Sequence, residues 1–143
     1  EAMNCFEQMK SEGFSPDAIT FVSLLNACSH SGMVNEAETY YGNMSKKYGI
    51  APNLEHHTSM VIIYGFGGHF DKAMCVMRMM PSSCYPEVWL ALLGACRNRG
   101  ALKLGRMIFN QAIQLNDSCA AAYVLMADIY AAFGKIEGEK EVN

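Results

Sequence analysis

Apolar residues recur along this chain at i, i+3, i+4 and i+7, the spacing that lays a single stripe down one face of an α-helix. Ala2, Cys5, Phe6 and Met9 make the first stripe, Phe21, Leu24, Leu25 and Cys28 the second, and Ala37, Tyr40, Tyr41 and Met44 the third. His57, Met60, Val61 and Tyr64 follow, then Ala73, Val76, Met77 and Met80. Trp89, Leu92, Leu93 and Cys96, then Gly105, Ile108, Phe109 and Ala112, and finally Tyr123, Met126, Ala127 and Tyr130 complete the series. Charged and amide residues such as Glu7, Gln8 and Lys10 occupy the opposite faces. The breaks between stripes carry helix stop signals. Gly13 permits a left-handed turn and Pro16 blocks continuation, Gly32 separates the second and third stripes, and Pro81 follows the fifth. The spacing therefore predicts a succession of amphipathic helices, with Asp17 and Asn35 placed to cap two of them.

The helices repeat as larger units. FVSLLNACSHSG (21–32) returns as HTSMVIIYGFGG (57–68), WLALLGACRNRG (89–100) and YVLMADIYAAFG (123–134), at offsets of 36, 32 and 34 residues. A period near 35 built of two helices is the signature of a stacked helical repeat, in which each unit covers its neighbour's apolar face. The expected fold is all-α, a solenoid of antiparallel helix pairs. The predicted organisation is the second helix of an incomplete repeat at 1–17, full repeats at 18–53, 54–85 and 86–119, and a partial repeat at 120–143. Residues 1 and 2 already stand inside a helical pattern, so the chain is expected to continue upstream.

The phrase EAMNCFEQMKSEGFSPDAITFVSLLNACSHSGMVNEAETYY resembles a unit boundary of pentatricopeptide repeat proteins: a Met-rich helix end, then Gly, then Pro-Asp, then a Thr-aromatic helix start. The alternation of 36 and 32 residues resembles the long and short repeats of the PLS class of plant organellar proteins. LEHHTSM, with Met80-Pro81, resembles that class's last short motif. WLALLGACRNRGALKLGR and AAAYVLMADIYAAFGK resemble the two tetratricopeptide-like extension motifs that follow it in RNA-editing factors. Two departures stand out: GFGGHFDKA (65–73) replaces the family's usual GRAGRLDEA, and Cys84-Tyr85 replaces Pro-Asp.

The resemblance implies a right-handed superhelix in which each repeat meets one nucleotide of single-stranded RNA. The base is read by a side chain near the start of the first helix together with the unit's last residue. Carried onto this chain, the RNA-binding positions are Val22 with Asn53 and Thr58 with Tyr85, and Asp17 closes a unit whose reading partner lies upstream. Val22 has no group to bond a base edge, which makes its repeat a spacer, and Tyr85 in place of Asp removes an acceptor that would discriminate purines. Asp and Asn are equally at home as helix caps, so Asp17 and Asn53 carry both readings. Further expectations from the resemblance are mitochondrial or chloroplast localisation, docking of a cytidine deaminase domain in cis or in trans with other editing factors, and a role in C-to-U RNA editing. A helical-repeat scaffold in an organellar ribosome or assembly complex is the alternative.

Composition narrows this further. Half the residues are apolar (51%), enough for a continuous core, and no apolar run reaches the roughly 18 residues of a membrane span. A net charge of −3 lacks the basic excess of an autonomous phosphate binder, although Arg97, Arg99, Lys103 and Arg106 form a modest patch that either contacts phosphate or is a solvated face. The six cysteines show no CxxC, and Cys28 and Cys96 sit at equivalent places in their repeats, which reads as buried thiols rather than a disulfide framework. A zinc deaminase needs HxE followed by PCxxC, and this sequence has neither; His30, His56, His57 and His69 lack the cysteine spacing of a zinc site. No P-loop, nucleophile elbow or dinucleotide fingerprint occurs. The expectation is a non-enzymatic chain with no cofactor, no membrane contact and no small-molecule substrate.

Overall fold

The structure, a computed structural model, describes residues 2–115, 120, 123–124 and 126–131. The chain divides into two compact units, Glu1–Met80 and Pro81–Asn143. Every regular element among the described residues is helical, as the stripes predict.

The first unit contains α1 (Ala2–Ser11), α2 (Ala18–Ser31), α3 (Val34–Lys46), α4 (Leu54–Phe66) and α5 (Phe70–Arg78). Within it α2 packs on α3 and on α4, α4 packs on α5 and α3, and α1 packs on α2. The connection between α2 and α3 is only Gly32 and Met33. Gly32 takes φ of 67°, a left-handed conformation costly for a side chain, and the Met33 amide returns to the Cys28 carbonyl at 3.0 Å. So short a reversal forces the two helices to lie antiparallel and puts their stripes in contact. Phe21, Leu24, Leu25 and Cys28 of α2 are buried, as are Ala37 and Met44 of α3 and Ala73, Val76 and Met77 of α5. Phe6 of α1 meets Phe21 and Tyr40 edge-on, with centroids 5.7 and 5.5 Å apart, the arrangement that the ring quadrupole favours.

Three details differ from the sequence reading. Asn35 is not a cap: the tight turn at Gly32 delivers the chain directly into α3, whose N-cap is Met33 with no side-chain bond, leaving Asn35 one residue inside the helix. Cys5 is exposed although it lies on the first stripe. On α4 the stripe is rotated. His56 is fully buried while His57 is half-buried, and Ser59 and Ile63 are buried beside Met60, Val61 and Tyr64, so α4 hides a wider arc than one stripe.

In the second unit a 3-10 turn at Ser82–Cys84 leads into α6 (Tyr85–Arg99), which packs on α7 (Leu102–Leu115). Pro86 sits in the first turn of α6, where its missing N–H costs nothing. Val88, Trp89, Leu92, Leu93 and Cys96 are buried on α6, and Ile108 and Ala112 on α7. Most of the predicted partial repeat, 120–143, lies outside the described residues. Within it Met126 and Ile129 are buried, while Tyr123 and Tyr130, placed on the predicted stripe, are exposed. Arg106 donates to the Tyr130 hydroxyl at 2.9 Å, and Phe109 meets Tyr123 edge-on at 5.1 Å. These two tyrosines therefore partner the surface of α7 instead of the core. No helix among the described residues is long and apolar enough to cross a membrane.

Candidate nucleic-acid interface

The sequence places the candidate readers near the starts of α2 and α4, so the geometry of those helix starts decides what each side chain has left to offer. At α2, Asp17 is the N-cap, in extended backbone (φ −118°, ψ −176°). Its Oδ1 accepts from the Thr20 amide at 2.9 Å and from the Thr20 hydroxyl at 2.8 Å, while the Asp17 amide donates to Thr20 Oγ1 at 3.2 Å. This reciprocal capping box satisfies amides that the first turn cannot pair internally. The Thr20 bonds hold the Asp17 carboxyl below its ordinary pKa, so it is a capping carboxylate at neutral pH.

At α4 the same device recurs with an unusual member. Asn53 is the N-cap, its Oδ1 accepting from the amides of Glu55 (3.0 Å) and His56 (3.3 Å). The reciprocal acceptor is an imidazole: the Asn53 amide donates to His56 Nδ1 at 3.0 Å. With Nδ1 accepting, the ring proton belongs on Nε2, which donates to the Ala18 carbonyl at 2.8 Å. Ala18 is the first residue of α2. One fully buried histidine thus ties the start of α4 to the start of α2, across a sequence separation of 38 residues.

The side chains between these caps divide by position. Val22 is half-buried and apolar. Thr58 is half-buried and donates its hydroxyl proton to the Leu54 carbonyl at 2.7 Å, leaving only its oxygen lone pairs to meet a ligand. Asp17 and Asn53 each have Oδ1 in a cap, which leaves the Asn53 Nδ2 donors outside the cap. Tyr85, expected to close the repeat that Thr58 opens, is also the first residue of α6. Thr58 belongs to the first unit and Tyr85 to the second.

Two residues on α2 escaped the sequence reading. Ile19 is 75% exposed in the first turn, one turn before Val22. Asn26, one turn after Val22, is exposed, and its Oδ1 accepts from the hydroxyl of Ser59 on α4 at 3.1 Å. The i, i+4 spacing from Val22 to Asn26 was a signal available in the sequence. The bond to Ser59 was not. Tyr41 of α3 bonds His57 Nδ1 at 2.7 Å, and burial together with the neighbouring His56 lowers the His57 pKa below its ordinary value.

Two basic residues of the second unit have protein partners. Arg97 approaches Asp128 at 3.6 Å, and the Arg106 guanidinium lies 5.6 Å from the Tyr130 ring centroid in addition to its hydrogen bond. Among the described residues no three His, Cys, Asp or Glu side chains are grouped to hold a metal ion, and Cys5, Cys28, Cys75, Cys84 and Cys96 are free thiols.

Comparison with known proteins places this arrangement. The pentatricopeptide family description, PPR repeat, matches residues 19–48 and 55–85. A mitochondrial pentatricopeptide repeat-containing protein of Arabidopsis thaliana is 41% identical over 94% of this chain and 22% of its own length. CRR2 of the same plant, a pentatricopeptide repeat-containing protein named as chloroplastic, is 39% identical over 92% of this chain and 20% of its own. Another pentatricopeptide repeat-containing protein of Arabidopsis thaliana is 38% identical over all 143 residues and 17% of its own length. The chain spans about a fifth of the length of these relatives. Among solved structures, the crystal structure of the pentatricopeptide repeat protein PPR10 from maize covers 95% of this chain with a TM-score of 0.63 at 20% identity, a likeness of fold.

Proposed function

Since this chain is a run of pentatricopeptide repeats homologous to plant proteins built of them, we propose that it is a single-stranded RNA-binding segment of an organellar protein. The observation that carries this reading is the tie between helix starts. His56 and the two capping boxes hold the beginnings of α2 and α4 in one relation, and single-stranded RNA can be read one base per repeat only if successive reading helices keep a fixed spacing. Ile19 adds an exposed apolar surface, in the first turn of α2, against which a base face can rest.

At the finer level, the 36 and 32 residue repeats followed by WLALLGACRNRG and YVLMADIYAAFG support the C-terminal part of a PLS-class factor for C-to-U editing. In this reading 18–53 and 54–85 are a long and a short repeat, and 86–119 and 120–143 are extension motifs that dock a cytidine deaminase held in cis or in trans. Val22 marks 18–53 as a spacer repeat, whose closing Asn53 keeps only its Nδ2 donors outside the cap, and Thr58 is an acceptor-only contact. The chain itself carries no catalytic role. The names of its relatives support a mitochondrial or chloroplast location.

The test is selection from a random pool of single-stranded RNAs by the longer protein, followed by sequencing of organellar transcripts in a knockout plant. Enrichment of one RNA motif, with loss of a C-to-U event beside that motif in vivo, is expected. Absence of any enrichment, with copurification of one large complex, would instead support a scaffold. That second reading rests on one observation: Oδ1 of Asp17 and Oδ1 of Asn53 are engaged in caps.

A further inference from the structure

On α2 the buried stripe of Phe21, Leu24, Leu25 and Cys28 leaves an outward face on which Ile19, Val22, Asn26 and His30 follow one another at helical spacing. The equivalent face of α4, 36 residues on, carries Glu55, Thr58, Ile62 and Phe66. The two faces are complementary in chemistry. Where α4 is polar at the first reading position (Thr58) and apolar one turn later (Ile62), α2 is apolar at the first (Val22) and polar one turn later (Asn26). The polar group has moved by one turn.

Asn26 is also held in a defined orientation. The hydroxyl of Ser59, a buried residue of α4 with 7% of its surface exposed, donates to Asn26 Oδ1 at 3.1 Å. An amide whose oxygen is already accepting turns its Nδ2 the other way, and both of its N–H donors remain available on an exposed side chain. Ser23 does not compete for this role. With Ile19, Thr20 and Leu24 it lines a cleft shared with Cys5, Phe6 and Met9 of α1, whereas Asn26 sits on the side of α4.

We propose that Asn26, oriented by Ser59, is the hydrogen-bond donor of the repeat at 18–53, contacting an oxygen acceptor of the nucleotide that meets this repeat. The repeat does not lack a polar contact; it makes one a turn deeper than its neighbour. This inference rests on the RNA-binding reading above and refines it. Ser59 is a positioning residue in this scheme and touches no RNA.

The experiment uses the full-length protein and the RNA motif selected from the random pool, with dissociation constants and melting temperatures measured together for N26A, N26D, S59A and T58V. Asn26→Asp keeps an oxygen to accept from Ser59, so a tie that is merely structural survives it, while both donors are lost. Loss of one net hydrogen bond corresponds to roughly a 3- to 10-fold weaker complex. N26A and N26D are both expected to weaken binding by about that factor, N26D at least as much as N26A, with the melting temperature of N26D unchanged. S59A is expected to weaken binding less than N26A. Wild-type affinity in N26D would overturn the inference, as would loss of affinity in N26A that N26D restores. If T58V weakens binding while the Asn26 variants do not, the RNA-binding reading stands and this inference falls. If the wild-type protein selects no RNA, the reading itself falls and takes the inference with it.

Discussion

Two adjacent histidines offer an internal comparison of how strongly tertiary structure differentiates neighbouring residues. His56 is 0% exposed and uses both ring nitrogens, Nδ1 accepting from the Asn53 amide and Nε2 donating to the Ala18 carbonyl. Replacing it with alanine deletes two hydrogen bonds at about 1 kcal/mol each, and the cavity left by the ring raises the total to about 3–5 kcal/mol. His57 is half-buried with a single bond to Tyr41, so its replacement by alanine costs about 1 kcal/mol. Two partial substitutions separate the bonds. His56→Asn restores an acceptor near Nδ1 and keeps the capping box; His56→Gln restores a donor near Nε2 and keeps the tie to α2. Each is expected to recover about half of the loss. Urea denaturation followed by circular dichroism at neutral pH reads these differences directly. For a unit of this size, 3 kcal/mol corresponds to a fall in Tm on the order of 15 °C. Equal losses for H56A and H57A, or a loss below about 1 kcal/mol for H56A, would show that the helix-start tie contributes nothing and would remove the physical basis for a fixed spacing of the reading helices.

Other expectations follow from the same geometry. In the native protein, iodoacetamide should label exposed Cys5 and Cys75 within minutes and spare buried Cys28 and Cys96, as read by mass spectrometry; burial pushes the Cys96 thiol up to about 11, so no reactive thiolate forms at pH 8. Gly42→Ala, in the interior of α3 with open space around the added carbon, should stabilise the chain by about 0.5–1 kcal/mol, whereas Gly67→Ala should destabilise it, because that carbon would lie 2.9 Å from Val34 Cγ2 and 3.1 Å from the Ile63 carbonyl. Denaturation midpoints of the two variants should move in opposite directions. Burial lowers the His57 pKa, so between its native value and about 6.5 the unfolded chain binds more protons than the native one. Stability should therefore fall as pH is lowered through that window and level off beneath it, and His57→Gln should flatten the pH profile.

The legibility of this protein in its sequence was uneven for physical reasons. The stripes on α2, α5 and α6 are buried as predicted, because a 3.6-residue period of apolar positions records the arc that a helix turns toward its neighbours. On α4 the same template failed by one residue. Its buried arc also takes in His56, Ser59 and Ile63, and periodicity cannot say which of two consecutive histidines turns inward. Asn35 was misread as a cap because the sequence shows residue types, while the cap position was set by how tightly the chain turned at Gly32. At the interface, Asp17 and Asn53 were visible as polar residues at helix starts. Their two possible roles were not separable there, since the same oxygen serves as cap or as reader and only its hydrogen-bond partner distinguishes them.

The sequence by itself determined the period, the helix-pair repeats and the apolar positions that make stacking possible, because all of these follow from local spacing along the chain. Only the tertiary structure decided which polar atoms remain available after stacking. His56 joined two helix starts, and Ser59 fixed the amide of Asn26. Both bonds connect residues more than 30 positions apart, a proximity created by the packing of α4 on α2. No local pattern encodes such partners, so the donors left facing the solvent could be identified only once the helices were in place.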